Sequence, residues 1–269
     1  EMVLDLVPVQ RVVGVSQWAL DPVLSATGDK AAQVAGRVES KNLEGIIALS
    51  PDLVILDTFN DFDGSIGKSL LSAGIPVLTL SSPTDFDAIR ANLLTLADAL
   101  GARENGAIIV EDMDQRLEAV RKVVDGIPEA DRIKVLYYED FYDPSGQSVG
   151  MLCAYGEGST FDSLARAAGV VNVCDAPNYS PISKEKVVGE WMPDLLVVPG
   201  IVFNPDFTVS EDGGAAIRAA ILQDETLASL PAVQEERIVA LTERFRSATS
   251  HYMAQAVEEL AKAAYPDKF

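Results

Sequence analysis

The chain has 269 residues, 48% of them hydrophobic, enough for one large or two medium cores. Its 41 acidic residues against 21 basic ones give a formal charge of −20, so no basic stripe exists to collect phosphates and nucleic acid and anionic lipid are excluded as partners. No apolar run approaches the roughly 18 residues of a membrane-spanning helix.

The sequence opens inside what reads as a helix (Glu1, Met2, Leu4, Leu6), so a leader and some mature residues are expected upstream. Three short apolar runs then read as strands: 11–15 (RVVGV), 53–56 (LVIL) and 76–80 (PVLTL). Being apolar on both faces, they belong in a parallel sheet covered by helices. Helical patterns fill the intervals at 42–49, 64–72 and 86–100, the last with Asp85 as N-cap and Gly101 as its stop. From 104 to 124 one amphipathic segment without proline carries Ile108, Val110, Met113, Leu117, Val120, Val123 and Val124 at helical spacing. At ~1.5 Å per residue this helix is about 30 Å long.

A second alternating set follows. Strands are expected at 134–138, 149–154, 194–199 and 237–241, and helices at 160–168, 184–191, 215–220 and 250–264. The predicted fold is therefore α/β: two Rossmann-like lobes, 1–102 and 128–269, joined by one long backbone helix over 103–127. A rod at that place holds the lobes at nearly fixed separation, with a ligand cleft between them near the C-terminal ends of the strands.

Chemistry-bearing residues are few. Cys153 and Cys174 form no CxxC pair; they read either as a disulfide or as two buried free thiols. His251, the single histidine, lies in the terminal helical pattern and lacks the companions a metal needs. Gly156-Glu157-Gly158-Ser159 opens a helix as a phosphate cradle does, but Glu157 would repel phosphate and a tight strand-to-helix turn is the better reading. No nucleophile elbow or Walker lysine is present, and no catalytic or metal-ligating set is assigned.

Two stretches echo one another: Asn42-Leu43-Glu44 leading to Pro51-Asp52-Leu53-Val54, and Ser183-Lys184-Glu185 leading to Pro193-Asp194-Leu195-Leu196. Each has a polar N-cap, a glutamate two residues on, a short helix, a Pro-Asp break and an apolar strand. Seven residues separate Glu44 from Pro51 and eight separate Glu185 from Pro193. Taken alone, both glutamates are explained as first-turn acids favoured by the helix dipole.

Together with Arg11-Val12-Val13-Gly14-Val15-Ser16, Ala73-Gly74-Ile75-Pro76-Val77, Gly158-Ser159 and Ala168-Gly169-Val170-Val171-Asn172-Val173, these units resemble the class III solute-binding proteins of ABC importers for ferric siderophores, haem and cobalamin. The family's opening strand and the loop after it have no counterpart in the sequence. The resemblance implies a monomeric extracytoplasmic carrier, periplasmic or lipid-anchored, that is no enzyme and has no cofactor of its own. Its ligand would be a metal chelate, a ferric siderophore before haem or a corrinoid. It further implies that Glu44 and Glu185 dock into arginine pockets on the transmembrane subunits, a directional and reversible carboxylate–guanidinium contact.

Cleft residues are expected to follow the strand ends: Gln17, Trp18, Arg37, Thr58, Phe59, Ser81 and Ser82 from the first lobe, and Tyr138, Glu139, Tyr155, Tyr179, Phe203, Arg244 and Arg246 from the second. Aromatic side chains can cover a flat ligand and arginines can neutralise an anionic chelate, though an aromatic after a strand is more often packing. Tyr138, Tyr155 and Tyr179 are the candidates for an axial phenolate on haem iron. The competing reading is an enzyme on a two-lobed scaffold, a metal chelatase or nitrogenase-like reductase, which would gather acid–base groups or cluster-ligating thiols.

Overall fold

The computed structural model describes all residues except Ser40, Lys41, Pro144, Pro205, Phe207 and Ala248. It divides into two compact units, Glu1–Glu111 with Thr249–His251, and Asp112–Ala248 with Tyr252–Phe269.

In the first unit, α1 (Met2–Leu6) and a 3₁₀ turn at Val9–Arg11 lead into β1 (Gly14–Ser16). The strand expected at 11–15 thus starts later, because the 3₁₀ turn absorbs its first residue. There follow α2 (Gly28–Ala32), β2 (Gly36–Val38), α3 (Leu43–Ala48), β3 (Val54–Asp57), α4 (Ser65–Ser72), β4 (Val77–Leu80) and α5 (Phe86–Ala99). As the sequence indicates, Asp85 caps α5, its carboxylate accepting from the Ala88 amide at 2.8 Å.

All pairing in this unit is parallel, β1 with β2 and β3 with β4. Among the described residues the two pairs do not join. Between β1 and β3 lies a slot of about 710 Å³, walled by residues 12–16 and 53–57 and floored by Leu4 and Val7. This explains why β1 and β3 are only half-buried where their composition predicts full cover on both faces. Leu6, Leu93, Leu96 and Ala97 form the principal core, with smaller clusters around Ala31 and Val34 and around Ile46, Ile66 and Leu70.

Residues 249–251 also belong to this unit. Ser250 Oγ donates to Glu1 Oε2 at 2.8 Å, and His251 Nε2 lies 3.3 Å from Asp5 Oδ2 while Lys30 Nζ lies 2.6 Å from Asp5 Oδ1. Burial would raise the Asp5 pKa, but hydrogen bonds from His251 and Lys30 outweigh it and hold the carboxyl below its ordinary value. His251 is therefore a structural partner of Asp5. The last helix starts beyond it, not at Ser250 as the periodicity suggests.

The long helix, α6 (Arg103–Val124), has 22 residues and runs out of the first unit into the second. The second unit continues with β5 (Lys134–Tyr137), β6 (Cys153–Tyr155), α7 (Thr160–Ala167), β7 (Val171–Asn172), β8 (Tyr179–Pro181), α8 (Lys184–Lys186) and a π-turn at Val187–Trp191. Then come β9 (Leu195–Val198), β10 (Ile201–Phe203), β11 (Val209–Glu211), α9 (Ala215–Gln223), α10 (Pro231–Gln234), β12 (Ile238–Ala240), α11 (Glu243–Arg246) and α12 (Met253–Ala264). A parallel sheet of order β12-β9-β5-β7 is the centre of this unit, flanked by the antiparallel pairs β6/β8 and β10/β11. Strand β9 is buried throughout, as its unbroken apolar run predicts. The strand expected at 149–154 shrinks to its last residues, since Gly150 and Met151 lie outside any ladder. Cys153 and Cys174 are both buried and free, so the thiol reading replaces the disulfide.

The echoed units fold alike. Asn42 accepts from the Gly45 amide and Ser183 from the Lys186 amide, each capping its helix start. Each helix ends on a left-handed residue before proline, Ser50 (φ 49°) or Met192 (φ 44°), where the right-handed conformation is disfavoured. The extra residue of the second copy is taken up by the π-turn, closed by the Met192 amide donating to the Val187 carbonyl at 2.9 Å.

Candidate ligand-binding faces

Parallel sheets place the residues that follow their strands at one edge, and Gln17, Trp18, Thr58, Phe59, Ser81 and Ser82 follow parallel strands in this way. In the first unit, Gln17 and Trp18 occupy a 3₁₀ turn after β1, and Trp18 is 61% exposed. Thr58 and Phe59 follow β3, and Ser81 and Ser82 follow β4. The structure brings Thr58 and Ser82 together: the Ser82 amide donates to Thr58 Oγ1 at 3.1 Å. Phe59 is 83% exposed, and Phe62, which the sequence reading passed over, is 93% exposed. Arg37 lies within β2, its guanidinium folded back onto the carbonyls of Val34 and Gly36.

The second unit carries a tier of tyrosines. Tyr179, 48% exposed, packs 4.8 Å from Tyr155, which meets Tyr137 edge-on at 5.1 Å. Arg246 lies over the Tyr137 ring at 4.9 Å and the Tyr155 ring at 6.0 Å. Glu243, itself buried, neutralises it: Arg246 Nε and Nη2 donate to Glu243 Oε2 at 3.0 and 2.6 Å, joined by Ser247 Oγ at 2.8 Å. The other oxygen, Oε1, accepts from the Gly200 amide at 2.8 Å. Burial works against the charge on Arg246, but the facing Tyr137 and Glu243 raise its pKa well beyond the ordinary value, so it is a fixed cation.

Tyr179 donates to Glu139 Oε1 at 2.5 Å. Burial raises the Glu139 pKa, opposed by that hydrogen bond and by Arg246. A carboxyl raised in the folded state favours folding below its unfolded pKa and loses that contribution as pH climbs through the folded value. Glu139→Gln is therefore expected to be at least as stable as the parent at neutral pH, with the difference closing on acidification. Urea unfolding at both conditions reads this; a variant weaker at neutral pH would mean that the charged Tyr179 contact outweighs burial.

The remaining nominations separate. Tyr138 is buried in the core with Leu136, Trp191 and Leu196 and offers no surface, which removes it as a ligand contact or axial phenolate. Its backbone continues β5, so its ring takes the core face opposite to that of Glu139. Phe203 packs edge-on to Phe141 at 4.8 Å, and Arg244 stacks 5.4 Å from Phe245. Tyr137, Glu243 and Phe141 were not legible as partners because long-range pairing brings them together. Phe62 had a local signal, lying between Asp, Asn and Gly turn formers. Glu44 and Glu185 are both exposed, each in the first turn of its helix. Glu185 is held below the ordinary carboxyl range by its own backbone amide and by Ser183.

Capped first-turn glutamates on repeated α/β units, with aromatic and hydroxyl side chains at the strand ends, define a binding scaffold. Residues 1–245 match the periplasmic binding protein family, and the chain belongs to it. The resemblance read from the motifs is thereby borne out, as is the α/β class with parallel sheets. Membership sets the chain outside the cytoplasm and among binding proteins, not enzymes. The chain is 25% identical over 229 residues to the uncharacterized ABC transporter substrate-binding lipoprotein YvrC of Bacillus subtilis, covering 85% of this chain. It is 24% identical over 255 residues to the molybdate-binding protein MolA of Haemophilus influenzae, covering 87%. It spans 66% of the length of each. Among solved structures, a periplasmic heme binding protein from Pseudomonas aeruginosa superposes with a TM-score of 0.77 at 25% identity, over all of this chain and 90% of that one. Periplasmic heme binding protein HutB of Vibrio cholerae gives 0.76 at 20% identity, over 98% and 95%, a likeness of fold.

Proposed function

We propose that the protein is the substrate-binding component of an ABC importer and that it carries an iron complex to the membrane subunits. Family membership carries the reading. The names of the relatives support the importer, and the heme-binding titles among the structural likenesses support an iron chelate as cargo. MolA's name raises an oxyanion as a second reading. Two of the three nominated arginines speak against it: Arg246 is already neutralised by Glu243, and Arg37 spends donors on backbone carbonyls. An oxyanion needs uncommitted donors and charge. The same commitment weakens the case for a strongly anionic siderophore relative to haem.

The nominated residues at the strand ends of each unit, Tyr138 excepted, are proposed as ligand contacts, and Glu44 and Glu185 as the docking acids. Both acids are exposed and rest on capped helices, so their removal should leave the fold intact. Glu44→Ala with Glu185→Ala is expected to abolish importer-dependent uptake, with melting temperature and ligand affinity unchanged. Binding is tested by titrating Trp18 and Trp191 fluorescence with haem, a ferric siderophore, cobalamin and molybdate. Saturation by molybdate alone would overturn the iron reading.

A further inference from the structure

The two echoed units fold alike but differ in charge at the acid itself. Glu44 stands between Leu43 and Gly45, whereas Glu185 stands between Lys184 and Lys186. Successive side chains on a helix diverge by about 100°, so the lysines rise on either side of the Glu185 carboxylate. An ammonium on a flexible four-carbon stem can swing toward a neighbouring acid, and two of them would offset its charge. The structure ties both away. Lys184 Nζ donates to Asp224 Oδ2 at 2.5 Å. Asp224 ends α9, its Oδ1 accepts from the Thr226 amide at 2.8 Å, and its side chain is 18% exposed. Lys186 Nζ donates to Asp175 Oδ1 at 2.6 Å and lies 4.9 Å from the centre of the Trp191 ring. Asp175 comes from the loop after β7, so the two lysines are held by two different parts of the unit. Among the described residues Glu185 takes part in no ion pair of its own.

We infer that Asp175 and Asp224 are positioning residues for the second docking acid: by holding Lys186 and Lys184 they keep Glu185 an isolated anion and fit this face to a guanidinium-bearing partner. The inference rests on the docking reading and adds to it the residues that set the charge of one face. Exposed ion pairs contribute little to folding, so two of them bracketing one acid act chiefly on the field that acid presents. Glu190, exposed one helical turn beyond Lys186, adds to the negative side of the balance. With both lysines neutralised by carboxylates from elsewhere, the surplus charge of the segment is negative and is carried by exposed glutamates. Complementary charge of this kind speeds encounter and rejects partners of the wrong sign. The two faces are therefore unequal. The first presents an acid with no cation immediately beside it in sequence, while the second depends on carboxylates supplied from α9 and from the loop after β7.

The test sediments the full chain with membrane vesicles from cells that make its own importer and reads the half-saturating concentration. Asp175→Asn/Asp224→Asn is expected to raise that concentration about 5- to 10-fold while melting close to the parent. Asp175→Asn alone, at a side chain 63% exposed, should raise it about threefold. Removing the lysines as well, in Lys184→Gln/Lys186→Gln/Asp175→Asn/Asp224→Asn, should bring it back to within about twofold of the parent. A purely structural role for the ion pairs would not give that recovery, because all four partners are then gone. Glu129→Gln/Asp131→Asn makes the same change of net charge on the exposed turn ahead of β5 and should leave docking as it was. A double variant that docks like the parent, a quadruple variant as weak as the double, or an equal loss in Glu129→Gln/Asp131→Asn overturns the inference, while the docking reading stands on the loss seen in Glu185→Ala. Vesicle binding that Glu185→Ala leaves intact overturns both.

Discussion

Glu243→Ala is expected to destabilise the second unit by about 3–5 kcal/mol, the usual cost of removing one member of a buried ion pair. The carboxylate it deletes is 1% exposed and accepts from Arg246, Ser247 and the Gly200 amide at once. Arg246 would keep the two tyrosine rings and the Ser247 hydroxyl beside it but lose its paired carboxylate, and the Gly200 amide would lose its acceptor. The melting temperature should fall on the order of 10 °C. The paired variant Glu243→Leu/Arg246→Met separates the worth of the pair from the cost of half of it: with both charges gone and the volume kept, most of the loss should return. A loss under about 1 kcal/mol for the single variant would show that water reaches the guanidinium.

Gly156→Ala should be of similar size, about 3 kcal/mol or more, for a steric reason. A Cβ at this position would stand 1.7 Å from the Ala176 carbonyl oxygen, a backbone atom that cannot swing aside. The strands there are tied by the Gly156 amide to Asn178 O at 2.7 Å, the Glu157 amide to Ala176 O at 3.0 Å and the Asn178 amide to Glu157 O at 2.8 Å. Forcing them apart loosens the segment that leads into Tyr179. The variant should therefore lose ligand affinity together with stability, as read by urea unfolding and by titration on the same preparation. Unchanged unfolding would mean that the two strands can separate without cost.

What the sequence made legible was mostly local. Caps at Asn42, Asp85 and Ser183 lie where side-chain chemistry placed them. The Pro-Asp breaks and the long helix depend on proline geometry and apolar spacing, which neighbours in sequence determine. The strand at 149–154 misled because apolar content cannot tell a ladder from a loop, and here only its end finds a partner in β8. The site was harder. Tyr138 and Glu139 alternate along the chain at the end of β5, and which of them faces the core depends on what packs there, so the sequence nominates both where only the acid meets the tyrosine tier. Glu243 drew no notice because nothing near it in sequence announces that Arg246 will be buried over Tyr137. Phe62 was overlooked although its turn-forming neighbours marked it as a loop residue.

The slot between β1 and β3 has a definite geometric meaning. Two ladders each have one side unmade, and both face one opening lined by Val13, Val15, Val54 and Leu56. One further parallel strand laid between them would find hydrogen-bond partners on both flanks and join the two pairs into a single sheet.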